Sequence, residues 1–72
     1  MSHHVYKKIE VVGSSSTGID DAIRNAVEVA SHSLDHMDWF EVVETRGEIR
    51  NGEVNYFQVT VKIGFRLNDE AE

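Results

Sequence analysis

Residues 39–67 read WFEVVETRGEIRNGEVNYFQVTVKIGFRL, which is two long strand-like runs on either side of Asn51-Gly52. Both runs are rich in β-branched and aromatic residues, which favour extended backbone. Asn-Gly between two such runs is typical of a two-residue type I′ turn, because both turn positions need a positive φ. The stretch therefore predicts an antiparallel hairpin with strands over 39–50 and 53–67.

The turn also sets the register of this hairpin, because a two-residue loop pairs the residues that flank it. Alternation along the second strand puts one apolar set on a single face, which we expect to lie under a helix. That set is Phe57, Val59, Val61, Ile63, Phe65 and Leu67. The register places Val42 opposite Val61 and Phe40 opposite Ile63, so the first strand is apolar on the same face.

The other face of the predicted hairpin is mostly polar but contains an indole. It carries Trp39, Glu41, Val43 and Thr45 on one strand and Gln58, Thr60, Lys62 and Arg66 on the other. Glu41 falls opposite Lys62, which is a favourable cross-strand charge pair. One helix covers only one face of a sheet, so this outer face is open to a ligand or a second subunit. A polar face in contact with water is the alternative.

Upstream of the hairpin, the pattern predicts one strand over 5–12, a turn over 13–18 and one helix. Apolar residues recur at helical spacing in the helix: Ile19, Ala22, Ile23, Ala26, Val27, Ala30 and Leu34. Thr17 is expected to cap its start, Asp20 to favour its dipole, and its end to lie near 35–37. The order strand–helix–strand–strand predicts an α+β fold, with one long helix across a three-stranded antiparallel sheet.

Composition excludes several kinds of protein and site. The chain has 72 residues, 40% of them hydrophobic, and no cysteine, which excludes disulfides, thiolate catalysis and cysteine-bound metals. Seven Lys and Arg against 13 Asp and Glu give a net charge of −6, which argues against a nucleic-acid partner. No run approaches the roughly 18 apolar residues of a membrane helix, and the N-terminus lacks the apolar stretch of a secretory signal. We expect no membrane partner and a cytoplasmic location.

The small size predicts an assembly. We interpret residues 1–72 as a single domain, with an acidic tail over 68–72 as a solvated end. A chain of this length buries only about 60% of the surface that its unfolded form exposes. With no disulfide and no evident metal site, oligomerisation is the expected source of further stability.

Two motifs suggest chemistry only weakly. The segment 13–18 has glycines at phosphate-loop spacing, but the Lys and Ser or Thr that should follow are replaced by Ile19-Asp20, so a plain turn is favoured. His32 and His36 are four residues apart on the predicted helix, a spacing that suits a metal pair. The glutamate that follows the first histidine in the zinc-protease motif is missing here, so we predict solvated histidines and no metal site. No nucleophile–histidine–acid set is recognisable, and no enzyme is predicted.

Trp39 and Gln58 are the candidate binding residues on the outer face. The indole has two interpretations, a packing anchor at a subunit contact or a stacking platform for a flat aromatic ligand. The amide of Gln58 offers donors and an acceptor, which suits the edge of a heterocycle, although a lone glutamine on a sheet is commonly plain polar surface.

Over nearly its whole length, the sequence resembles the dodecins, small flavin-binding proteins of bacteria and archaea. The matching segments are YKKIEVVG at 6–13, DWFEV at 38–42, RG at 46–47, YFQV at 56–59 and GFRL at 64–67. The segments DWFEV and GFRL resemble the bacterial branch in particular. The resemblance implies a sheet curled around its helix and a hollow shell of twelve identical subunits.

The resemblance also implies a function and its residues. In the family, flavins bind as stacked pairs between tryptophans of neighbouring subunits, and Trp39 matches that tryptophan. Gln58 matches the glutamine that hydrogen-bonds the isoalloxazine ring, while Arg46 and Arg66 match basic residues that assist phosphate-bearing ligands. Arg46 favours FMN over riboflavin, and coenzyme A is a further ligand of some bacterial members. The implied function is flavin storage and photoprotection. The alternatives are a small flavin-dependent oxidoreductase and a scaffold without a ligand.

The hairpin register adds a constraint on this site. Trp39 falls opposite Gly64, six residues from Gln58, which corresponds to roughly 20 Å along the sheet. One flavin ring cannot touch both side chains of one subunit, so the site is expected to be shared between subunits. The same register turns Arg46 toward the helix side, away from a phosphate, unless a bulge at Gly47 re-aims it.

Overall fold

The computed structural model describes residues 4–67, which form three strands and one helix. The elements are β1 (Tyr6–Ser15), α1 (Ile19–Ala30), β2 (Met37–Arg50) and β3 (Glu53–Arg66). The strands form one antiparallel sheet in the order β1-β3-β2, with β3 in the centre. The predicted strand–helix–strand–strand architecture is confirmed. The predicted solvated tail over 68–72 lies outside the described residues.

β1 is longer than predicted and continues into the segment assigned to a turn. Gly13, Ser14 and Ser15 pair with residues 57–59 of β3, so only residues 16–18 remain to connect strand and helix. The hydrogen bonds of an edge strand to the central strand therefore outweigh the turn preference of glycine and serine.

The start of α1 differs from the predicted cap. Its N-cap is Gly18 instead of Thr17, and no side chain caps it. Ser15 bridges strand and helix instead, because its Oγ accepts the N–H of Thr17 at 2.9 Å and donates to Asp21 Oδ2 at 2.7 Å. Asp20 and Asp21 lie in the first turn, where carboxylates complement the helix dipole.

α1 ends at Ala30, before the predicted end near 35–37. Ser31 Oγ donates to the carbonyl of Glu28 at 2.6 Å, and the N–H of Leu34 donates to the carbonyl of Ala30 at 3.1 Å. Leu34 nevertheless packs against the core. The prediction that it contributes to the apolar face is therefore confirmed, whereas the prediction that it is helical was wrong. At 12 residues, α1 is short, and no helix within 4–67 is long and apolar enough to cross a membrane.

The shorter helix removes the basis for a histidine pair. His32 and His36 both follow the last helical residue, and His36 has a φ of 62°, so the two do not share a helical face. Within residues 4–67, no group of three or more His, Cys, Asp or Glu side chains could hold a metal ion.

The core is a thin layer between α1 and β3. Within residues 4–67, the buried hydrophobic residues are Ala22, Ala26, Ala30, Val59, Val61 and Ile63. The small alanines bring the helix so close to β1 that a Cβ on Gly13 would collide with the carbonyl oxygen of Ala22. A core this thin agrees with the expectation that a short chain needs contacts beyond its own subunit.

α1 packs mainly on β1 and β3 and leaves the inner face of β2 open. Phe40 and Val42 pair with Ile63 and Val61, as predicted, yet each is 49% exposed. A single helix is narrower than three strands, so α1 leaves the part of the inner face that β2 forms partly exposed. We call Phe40 and Val42 the β2 apolar strip. Such a strip is typical of a subunit contact.

The hairpin turn has the predicted conformation. Asn51 and Gly52 have φ values of 54° and 76°, and Arg50 pairs with Glu53 across them. Two positive φ angles are the requirement of a type I′ turn.

The strands beyond this turn are not in continuous register. Going away from the turn, β3 has an extra residue at Asn55, and β2 then has one at Val43 and another at Asp38, beyond the pair of Trp39 and Gly64; each irregularity shifts the pairing by one residue. The second shift cancels the first. The predicted pairing of Trp39 with Gly64 is therefore confirmed, whereas the predicted pairings of residues 44–48 were wrong.

Candidate functional site

The outer face of the sheet, which points away from α1, brings the candidate residues together. The register places these side chains on it: Tyr6, Lys8, Glu10, Val12 and Ser14; Trp39, Glu41, Glu44, Arg46 and Glu48; Gln58, Thr60, Lys62, Gly64 and Arg66. All four predicted site residues are in this set. The subunit measures 57 × 20 × 13 Å, so this face is long and narrow and position along the strands separates its residues.

Arg46 lies on the outer face, which corrects the register-based prediction. It pairs directly with Gln58, while Thr45 pairs with the buried Val59 on the helix side. The unbulged register predicted the reverse for both residues. The bulges that re-aim Arg46 are at Val43 and Asn55 rather than at Gly47.

The four predicted residues form two groups near opposite ends of the three-stranded part of the sheet. At the first, which we call the indole end, Trp39 lies opposite Gly64, and Arg66 is two residues along β3, opposite Tyr6. At the second, the amide end, Arg46 lies opposite Gln58. Each end thus combines one of the two predicted arginines with one group that can contact a heterocycle.

The two ends are too far apart to serve one ligand ring in one subunit. Gly64 and Gln58 are six residues apart on β3, which is roughly 20 Å at 3.3 Å per residue. The β3 bulge at Asn55 lies outside this interval, so the predicted separation is unchanged. A site that uses both Trp39 and Gln58 must combine two subunits.

The indole of Trp39 is held in a defined position at its end of the sheet. Its six-membered ring covers Gly64 so closely that a Cβ there would collide with Cε2 and Cζ2. Tyr6 packs beside it, with ring centroids 5.4 Å apart and planes at 59°. Trp39 Nε1 donates a hydrogen bond to Glu41 Oε2 at 2.9 Å. The indole remains 38% exposed, which suits stacking with a second aromatic ring.

Glu41 is held in turn by a cation from the opposite edge of the sheet. Lys8 Nζ lies 3.0 Å from Oε2 and 3.3 Å from Oε1. The hydrogen bond from Trp39 and the interaction with Lys8 together lower the pKa of the Glu41 carboxyl below its ordinary value, with a smaller contribution from Lys62. The predicted register of Glu41 and Lys62 is confirmed, but the ion pair forms with Lys8.

The amide end offers hydrogen bonds and positive charge. Gln58 is half-buried, Arg46 is exposed, and paired residues of antiparallel strands have Cβ atoms about 5 Å apart. The amide can donate and accept at a heterocycle edge, and the guanidinium can bind phosphate with two parallel hydrogen bonds. With the stacking indole, these groups fit a flat heterocycle that carries phosphate.

Sequence reasoning missed three residues of the indole end, Tyr6, Lys8 and Gly64. Tyr6 and Lys8 reach Trp39 and Glu41 only because β1 pairs with β3, and the hairpin pattern carries no information on that pairing. The role of Gly64, in contrast, could have been inferred from the sequence. Gly64 is the single glycine in an otherwise bulky strand, and the predicted register already placed it opposite Trp39.

Comparisons with known proteins agree on one family. The model of the dodecin family matches residues 5–68. The chain is 48% identical over 65 residues to the dodecin of Thermus thermophilus, which covers 90% of this chain and 94% of the relative. The structure of dodecin from Streptomyces coelicolor superposes with a TM-score of 0.90 at 51% identity, covering 97% of this chain and 100% of the other.

Three crystal structures of Thermus thermophilus dodecin variants are also similar. They share 45% identity with this chain, cover 93% of it and 98–100% of their own chains, and have TM-scores of 0.88–0.89. In two of them an arginine is replaced by alanine, and in the third a tryptophan is replaced by phenylalanine.

Proposed function

Since the chain belongs to the dodecin family, we propose that it stores flavin and protects it from light in the cytoplasm. FMN is the flavin favoured by the residues, with riboflavin and coenzyme A as further ligands. The binding unit is a hollow assembly of twelve identical subunits, in which flavins lie as stacked pairs between Trp39 residues of neighbouring subunits.

The observation that carries this proposal is the position of Trp39. The indole is held by Gly64, Tyr6 and Glu41 and yet is exposed on an outer sheet face. A rigid, exposed indole stacks on a flat ligand ring at a low cost in conformational entropy. A tryptophan that served only the subunit's own core would be buried between helix and sheet.

Assembly completes the site in this proposal. Trp39 from one subunit contacts the ring face, and Gln58 from a neighbour hydrogen-bonds the ring edge, because the two are roughly 20 Å apart within a subunit. The β2 apolar strip and the thin core supply the reason for subunits to associate.

The two arginines support FMN as the ligand. Arg66 lies at the indole end and Arg46 at the amide end, so each half of a shared site carries a cation for phosphate. In the Thermus thermophilus variants, the first substituted arginine is the seventh residue after the substituted tryptophan, and the second is the twentieth residue after the first. Trp39, Arg46 and Arg66 have the same spacings here.

Storage is favoured over catalysis by the way the ring faces are covered. A bound flavin supplies redox and light-absorbing chemistry. Trp39 on one face and a second ring on the other exclude a substrate that would have to approach a face. The indole is also an electron donor in contact with the ring, so we expect it to quench flavin fluorescence.

Replacing Trp39 tests this function. Equilibrium dialysis against FMN is expected to show about 100-fold weaker binding to Trp39→Ala than to the parent protein, the range of a hot-spot truncation. Trp39→Phe keeps an aromatic ring and is expected to fall between them. Flavin fluorescence should be strongly quenched by the parent and less by Trp39→Ala.

Each rival function has its own outcome. Equal FMN retention by the parent protein and Trp39→Ala would reject the stacking role, and retention by neither protein would leave a scaffold without a ligand. Steady turnover of a reduced nicotinamide by the FMN-loaded protein would reject storage in favour of an oxidoreductase.

A further inference from the structure

One carboxylate oxygen anchors the indole of Trp39. Glu41 Oε2 accepts a hydrogen bond from Trp39 Nε1 at 2.9 Å and lies 3.0 Å from Lys8 Nζ. Trp39 and Glu41 are two residues apart on β2, so both side chains point to the outer face as neighbours. A bond to the indole N–H opposes rotation of the ring over Gly64.

Lys8 fixes the carboxylate that makes this bond. A solvent-exposed glutamate side chain populates several rotamers, and restricting it to one of them costs free energy. Lys8 contacts both carboxylate oxygens from the opposite edge strand, reaching across β3 at the row of Gly64. Lys8, Glu41 and Trp39 therefore form one chain of charge-assisted contacts across all three strands.

This chain of contacts is poorly placed to stabilise the fold. The side chains of Lys8 and Glu41 are 45% and 44% exposed, and exposed ion pairs contribute little to the free energy of unfolding. Orientation of the indole has a larger consequence for binding, because a ligand that stacks on a pre-oriented ring avoids the cost of ordering it.

We infer that Glu41, held by Lys8, is a positioning residue that keeps the indole of Trp39 in its stacking orientation and thereby sets the affinity for flavin. This inference rests on the proposed function and deepens it, because it assigns a role to two residues that touch the tryptophan rather than the ligand.

Glu41→Ala tests the inference against two matched variants. We expect FMN to bind about fivefold more weakly to Glu41→Ala, the loss of a hydrogen bond to an exposed charged group. Glu41→Gln keeps an oxygen that can accept the indole N–H, and its affinity is expected within about twofold of the parent. Glu10→Ala removes an equal charge from the same face and should bind FMN as the parent does.

A second readout separates positioning from a general structural effect. The chain contains one tryptophan, so the fluorescence anisotropy of the FMN-free protein reports on the indole of Trp39 alone. We expect lower anisotropy in Glu41→Ala, recovery in Glu41→Gln, and assembly mass and far-UV circular dichroism equal to the parent in both. Should Glu41→Ala fail to assemble, Lys8→Met leaves the indole–carboxylate bond in place and should show the same changes at smaller size.

Two results distinguish the failure of this inference from failure of the proposed function. Parental affinity and parental anisotropy in Glu41→Ala would overturn the positioning role. If Trp39→Ala also kept the parental affinity, the proposed function itself would fail. If Trp39→Ala lost FMN and Glu41→Ala did not, only the positioning role would be rejected.

Discussion

Gly64→Val is expected to weaken FMN binding by about 100-fold or more, as much as removal of the indole itself. Gly64 is buried beneath the ring of Trp39, and even a Cβ at this position would overlap three ring atoms. Valine is favourable on a strand, so the sheet can keep its pairing while the indole is displaced. The variant therefore separates the presence of a tryptophan from its placement.

The matched control for this variant is Thr60→Val. It introduces the same side chain on the same face of β3, at a position that already holds a β-branched residue. We expect its assembly mass and FMN affinity, measured by light scattering and equilibrium dialysis, to equal those of the parent. A correctly assembled Gly64→Val that bound FMN with parental affinity would show that the indole over Gly64 does not form the site.

Phe40→Glu is expected to dissociate the assembly and to abolish FMN binding with it. Phe40 is 49% exposed on the β2 apolar strip, beside a cavity of about 190 Å³ lined by Val27 and Ile63. An unpaired carboxylate in an apolar subunit contact costs several kcal/mol, and a symmetric assembly repeats that cost at every copy. Phe40 pairs with Ile63 on the inner face, whereas the predicted site residues Trp39 and Gln58 lie on the outer face and keep their side chains, so we expect loss of binding to follow from loss of the neighbour.

Light scattering and FMN dialysis on the same sample check this prediction. Phe40→Leu keeps the strip apolar and is expected to assemble and bind FMN. A fully assembled Phe40→Glu would exclude the β2 apolar strip as a subunit contact. A dissociated Phe40→Glu that still bound FMN with parental affinity would contradict the shared site.

The elements of the fold were predictable where one local signal was strong. Asn51-Gly52 has one favoured conformation between strands, and the alternation along β3 has one orientation that buries Val59, Val61 and Ile63, although Leu67 beyond the strand is exposed. The end of the helix was not predictable, because Leu34 extends the apolar pattern while Ser31 already turns the chain. Periodicity reports which residues reach the core, and it does not report the backbone conformation that brings them there.

The candidate site was predictable where Trp39 pairs with Gly64 but not between the bulges at Val43 on β2 and Asn55 on β3. Neither Val43 nor Asn55 is a residue type that marks a bulge in the sequence. The two bulges together place Arg46 beside Gln58 on the outer face. Because the two shifts cancel, the pairing of Trp39 with Gly64 is the same with or without them. The residues of β1 that support the indole were not predictable, because they reach it only through the pairing of β1 with β3, which are far apart in the chain.

Mixing two defective subunits is the most direct test of a binding site shared between neighbours. Trp39→Ala and Gln58→Ala chains would be co-expressed with different tags, and assemblies that contain both would be purified and titrated with FMN. We expect these mixed assemblies to regain a fraction of sites with parental affinity, because an intact Trp39 from one subunit meets an intact Gln58 from another. If both residues acted within one subunit, no mixed assembly could contain a complete site, and the absence of any parental-affinity sites would contradict the shared site.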